Sequence, residues 1–131
     1  MAIARVQSKN TTASATNTVG ITPTSSPTAG NCQIIVVSVN NNVSNIVSSI
    51  TQTNCTWQRA ISQTENCPII GLATIVDIWY SLNAGSSPGT TITVNLASSQ
   101  TFSVIYAEYS GVASVSALDK TVSSQDGTNP G

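Results

Sequence analysis

Three ionisable side chains stand where such side chains are rare. Arg59, Asp77 and Glu108 each interrupt an apolar or β-branched run: TWQRAIS, LATIVDIWY and FSVIYAEY. With only four Lys and Arg and five Asp and Glu in 131 residues, these positions call for a chemical explanation. Charges set in apolar strands are seldom buried unless they are paired. Two chemistries are open to them. Asp77 and Glu108, held about 5 to 9 Å apart, would make the acid and the nucleophile or base of a glycosidase. Alternatively, Arg59 forms a structural ion pair with Asp77, Glu108 or both, fixing the register of neighbouring strands. The second is favoured, because the sequence offers no long loops from which to build a substrate cleft.

Other catalytic arrangements lack their parts. There is no His to activate a serine, and Lys9 and Lys120 both sit in polar flanks, away from any strand that would aim them at a hydroxyl. No glycine-rich phosphate loop, zinc signature or dinucleotide fingerprint is present. Asp119 and Asp126 lack the spacing of a calcium loop. The chain is therefore read as non-enzymatic, with no cofactor. Three cysteines, Cys32, Cys55 and Cys67, leave one over in any intrachain scheme and show no CxxC spacing. A Cys55–Cys67 disulfide is the preferred pair, closing a short loop worth about 3 kcal/mol; the alternative is that all three thiols stay reduced and buried. Asn10, Asn42 and Asn54 head sequons that permit N-glycosylation of an exported protein. Trp57, Trp79, Tyr80, Tyr106 and Tyr109 are read as core residues, with a sugar-stacking platform as the alternative.

The elements that must position these residues belong to a chain of unusual composition. It is 40% hydrophobic yet only 7% charged, with a net charge of −1, which points to a folded chain whose surface is rich in hydroxyl and amide groups. So little net charge gives weak repulsion between copies, and self-association is expected. Arg5, Lys9, Arg59 and Lys120 are too scattered to neutralise a phosphate backbone, so nucleic acid is not an expected partner. No apolar run approaches the ~20 residues of a membrane-spanning helix. The opening residues lack an apolar leader, so leader-directed export would require one removed from this numbering.

Eight short strands are expected. They are 2–7, 19–22, 32–39, 43–51, 56–61, 72–80, 90–96 and 101–109, with the Pro- and Gly-containing stretch 23–30, the Asn40-Asn41-Asn42 run and the Gly/Ser/Pro stretch 83–89 as turns. Residues 101–109 read as a central strand covered on both faces, and residues 97–100 as a hairpin connection to 90–96. Along 56–61, Trp57, Arg59 and Ile61 would share one face. No segment shows helical spacing. The fold class is all-β, an antiparallel β-sandwich of jelly-roll or immunoglobulin-like type. Its parts are an extended N-terminal segment (1–14), a sandwich domain (15–122) and a polar tail (123–131).

Ala29-Gly30-Asn31 leading into IIVVSV, Thr56-Trp57-Gln58-Arg59-Ala60, Asp77-Ile78-Trp79-Tyr80, Thr90 to Leu96, and Ala107-Glu108-Tyr109-Ser110-Gly111-Val112 with Leu118-Asp119 together resemble β-sandwich modules of secreted and surface proteins of bacteria and archaea. The resemblance covers residues 15 to 122 and implies a non-catalytic extracellular or cell-surface module of adhesin, appendage or fibre-subunit type. The cysteines are no part of that pattern. Such modules continue past the Leu-Asp segment, so a sandwich ending here would have an open edge. Copies of the chain are therefore the expected partner: Ile3 and Val6 would fill grooves of a neighbour as donor-strand contacts in a filament, pilus-like appendage or surface layer. A monomeric module binding surface glycans is the first alternative, and a phage or virus surface protein the second.

Overall fold

A computed structural model describes residues 2–41, 45–67, 72–82 and 84–122. Among them every regular element is a β-strand, and no helix is long and apolar enough to cross a membrane. The strands are β1 (Ala4–Ile21), β2 (Cys32–Asn40), β3 (Val47–Thr51), β4 (Gln58–Cys67), β5 (Leu72–Ser81) and β6 (Ile92–Ser110). They form one antiparallel sheet in the order β1-β6-β2-β5-β4, with β3 also pairing β6.

Six strands replace the eight expected because two pairs are continuous. Residues 4–21 form one strand of 18 residues and residues 92–110 one of 19, and the two run alongside each other for most of their length. The Ala97-Ser98-Ser99-Gln100 stretch is therefore not a hairpin; it lies within β6. Its side chains carry no apolar alternation, yet β1 accompanies it with register shifts between Ala13 and Thr16 and between Thr16 and Thr18. Bulges of this kind bend a strand. Ala15, at the same place, takes a left-handed φ of 51°.

β6 has two halves with different neighbours. Residues 93–96 pair with β3 and with the C-terminal end of β1, whereas residues 102–109 pair with β2 and with the N-terminal part of β1. Apolar side chains from both halves meet in one cluster. Ile92, Val94 and Leu96 join Phe102, Val104 and Tyr106, together with Ile46, Val47 and Ile50 from β3 and its approach, Ile35, Val37 and Val39 from β2, and Ile75 and Trp79 from β5. Arg59 on β4 donates hydrogen bonds to the Asn45 side chain and the Val47 carbonyl, so the sheet curls until the β3 end lies over β4. Burying so many β-branched and aromatic side chains, at about 1.5–3 kcal/mol each, is the main force holding the curl closed.

The outer face is open. Residues 101–109 do form a central strand, but only Phe102, Val104, Tyr106 and Glu108 are buried, while Ile105 is 52% exposed. The expectation of cover on both faces fails for this reason: the apolar cluster gathers on one face of the sheet only. Across the open face the register aligns Ile61, Ile78, Val36 and Ile105 in one row that ends at Asn10. Ile61 joins that row because the register shifts between Arg59 and Ile61, which breaks the shared face expected for the two.

Candidate functional site

Glu108 is wholly buried on the core face of β6. Three donors, one from β1 and two from the 28–31 loop, converge on its carboxylate. Gln7 Nε2 on β1 donates at 2.5 Å, the Thr28 backbone N–H at 2.8 Å and Asn31 Nδ2 at 2.6 Å. The 28–31 loop reaches it through a left-handed Gly30 (φ 85°), whose N–H donates to the Ala84 carbonyl, while the Asn31 carbonyl accepts from the Ala84 N–H. Burial by itself raises a carboxyl's pKa; here the hydrogen bonds from Gln7, Thr28 and Asn31 outweigh it and hold Glu108 below the usual range. Gln7 is itself clamped, donating to the Ser25 carbonyl and accepting from the Ser25 N–H.

Beside Glu108 runs a second polar chain. Tyr106 Oη donates to Gln33 Oε1 at 3.1 Å, and Gln52 Nε2 donates to the same oxygen at 3.1 Å. Gln33 Nε2 in turn lies 3.3 Å from Cys55 Sγ. Gln52 is oriented by Trp57 Nε1 donating to its Oε1 and by its own bond to the Gly89 carbonyl. Burial, then the nearby Glu108 charge, push the Tyr106 phenol well above its ordinary range, so it stays protonated and a donor.

Arg59 and Asp77 form a separate site. Arg59 Nη2 approaches Asp77 Oδ2 at 3.8 Å, and its guanidinium lies 4.7 Å from the centre of the Trp79 ring. Asp77 is fully buried and accepts no hydrogen bond among the described residues, so Arg59 is what neutralises it. Glu108 is not part of this pair, so of the pairings expected for Arg59 it is the one with Asp77 alone that forms among the described residues. Asp77 is opposite Val37 and Glu108 opposite Gln33, four residues further along β2 and on its other side. Strand geometry then separates the two carboxylate residues by roughly 16 Å, beyond the range a glycosidase pair uses.

The cysteines are placed differently from the preferred scheme. Cys32 and Cys55 are free thiols, Cys32 buried with its pKa raised by that burial. The 55–67 bridge is not formed: Cys55 is a free thiol, and Cys67 closes the ten-residue β4, so nine extended residues of that strand, roughly 30 Å, lie between, where a disulfide needs α-carbons within about 7 Å. Asn10 is exposed on β1, and Asn54 is exposed but donates from its amide to the Ser86 and Ser87 carbonyls. Asn42 lies outside the described residues. Trp79 and Tyr106 are in the core with Trp57 packed against it, while Tyr80 and Tyr109 are half-buried on the open face. Ile3 and Val6 are 66% and 47% exposed.

Glu108 is legible in the sequence as an anomaly, whereas its partners and the polar chain beside it are not. Gln7, Thr28, Asn31, Gln33 and Gln52 are neutral amides and hydroxyls in a chain full of them, and only their convergence marks them out. No family model, curated protein or solved structure matches the chain.

Proposed function

We propose that this chain is a non-catalytic extracellular structural subunit, a two-layer β-sandwich built by the curl of its sheet, that polymerises by exchanging the N-terminal half of β1 between neighbouring copies. The observation that carries this reading is β1 itself. Among the described residues it pairs with β6 alone and leaves its other backbone edge unpaired, and it carries only Arg5 and Lys9 as charges and contains no proline. Proteins that stay monomeric blunt such edges with short strands, charges or proline. The bulges and the left-handed Ala15 supply a hinge at which residues 4–13 can leave their own β6 and pair with the equivalent strand of the next copy. Gln7 travels with the exchanged segment, so Oε2 of the recipient's buried Glu108 keeps its donor only when a donor strand is in place, while Thr28 and Asn31 continue to hold Oε1. Ile3 and Val6, exposed in the isolated chain, then pack against the neighbour.

Two measurements test this. Deleting residues 1–8 abolishes polymers seen by electron microscopy, and a truncated chain that assembles like the full one overturns the reading. Because the truncation also uncovers β6, a lock provides the second test. Ser8 and Ala107 are register partners; with Ser8→Cys and Ala107→Cys oxidised to each other, assembly stops, and reduction restores it. Polymers that form equally well from the locked chain refute strand exchange.

A glycan-binding reading has one specific observation in its favour. Tyr80 and Tyr109 line an apolar groove of about 320 Å³ on the open face, together with Ile34, Ile78 and Leu118. Glycan-array binding that is lost on Tyr80→Ala and Tyr109→Ala would favour that reading over polymerisation.

A further inference from the structure

The pairing of Cys55 with Gln33 has a use that the strand-exchange reading does not absorb. Gln33 is completely buried, its carbonyl oxygen accepts from two donors, Tyr106 Oη and Gln52 Nε2, each at 3.1 Å, and its amide nitrogen lies 3.3 Å from a free thiol. Two donors on one carbonyl oxygen are how an acyl-transfer site holds the oxyanion of a tetrahedral intermediate. The thiol beside it is the nucleophile such a site needs. We propose that Cys55 and Gln33 condense into an internal thioester, which ties the start of β2 to the turn ahead of β4 and which small primary amines can open.

The step balances without any co-reactant. Cys55 Sγ adds to Gln33 Cδ, and the negative charge developing on Oε1 is held by Tyr106 Oη–H and Gln52 Nε2–H. The intermediate then collapses: the Cδ–Nε2 bond breaks and the thiol proton leaves with the nitrogen as ammonia. No atom changes oxidation state. Each donor is itself fixed. Tyr106 is kept protonated by burial and by the Glu108 charge, and Gln52 is clamped by Trp57 and the Gly89 carbonyl. Fixed donors around the fully buried Gln33 carboxamide stabilise charge more than mobile solvent does. The half-buried Cys55 opens the site on one side, so ammonia leaves and a small amine enters past the sulfur. Attack by such an amine at Cδ forms an amide on Gln33 and returns the Cys55 thiol.

Intact-mass spectrometry of the full chain, purified in amine-free buffer at neutral pH, tests the bond directly. The expected mass is lower than the sequence mass by one ammonia, with Cys55 unreactive toward iodoacetamide. Incubation with methylamine then adds one methylamine, mapped by peptide analysis to Gln33, and Cys55 becomes alkylatable. A chain at its full sequence mass whose Cys55 is alkylated without prior amine treatment overturns the proposal. So does an ammonia loss that persists in Cys55→Ala, since it would belong to another amide. These readouts do not depend on whether the chain polymerises.

Discussion

Replacing Glu108 by Gln changes one atom and reverses the polarity of one hydrogen bond. In the native site both carboxylate oxygens accept, Oε1 from Thr28 N and Asn31 Nδ2 and Oε2 from Gln7 Nε2. A glutamine keeps one acceptor for Thr28 and Asn31 but turns an NH₂ toward the NH₂ of Gln7. Gln7 cannot rotate its amide to compensate without losing both bonds to Ser25. A hydrogen bond to a charged acceptor contributes about 1.5–3 kcal/mol; losing one, while relieving the burial of a charge, leaves Glu108→Gln about 1–2 kcal/mol less stable than wild type at pH 7. Glu108→Leu also strands the Thr28 N–H and the Asn31 amide, at about 1–3 kcal/mol each, and loses about 3 kcal/mol net.

The pH dependence separates charge from packing. Because folded Glu108 titrates below its unfolded value, the unfolded chain takes up the proton first as pH falls. The stability Glu108 contributes is complete above about pH 4.3, the unfolded value, and is lost as pH drops through the lower folded value. Urea unfolding followed by tryptophan fluorescence at a series of pH values reads both effects. Wild type loses stability over that acid window, and Glu108→Gln loses that part of the slope. If Glu108→Gln unfolds at the wild-type urea midpoint at every pH, the account of the Glu108 site is wrong.

Arg59→Met keeps an apolar stem over Trp79 but leaves Asp77 buried without a countercharge, and should lower stability by about 3–5 kcal/mol; adding Asp77→Leu should recover most of it in urea unfolding, and no recovery would mean the arginine acts through packing alone. Gly111→Ala places a methyl group 2.5 Å from the Ala2 carbonyl oxygen at a φ of 75°. It should lower the thermal midpoint through a loss of about 1–3 kcal/mol and free the N-terminal end of β1, seen as faster amide exchange there. In a glycosylating host, peptide mapping should find glycan on Asn10 rather than on Asn54, whose amide already holds the Ser86 and Ser87 carbonyls. Equal occupancy of the two would show that the 54–87 contact does not persist.

Local chemistry made the strand content legible. β2 and β5 read correctly because both are β-branched runs bounded by turn residues, and their backbones have no alternative that packs Ile and Val as well. The anomaly of three charges in apolar company was legible too, and with it the Arg59–Asp77 pair. What the residues could not announce was β1 between Ser8 and Thr18, or β6 between Ala97 and Thr101. Their side chains are polar and largely exposed, and they extend because each strand satisfies the other's backbone.

The same division holds at the polar site. An isolated Glu in an apolar strand must find partners when buried, so the sequence alone determined that Glu108 would be held by something. Which groups hold it was a tertiary decision. Gln7 and Glu108 are 101 residues apart, Gln33 and Tyr106 are 73 apart, and neither amide differs by type from the many around it. Only the curl of the sheet, with the closing of the 28–31 loop onto Ala84, makes those amides neighbours of a buried charge and of a thiol.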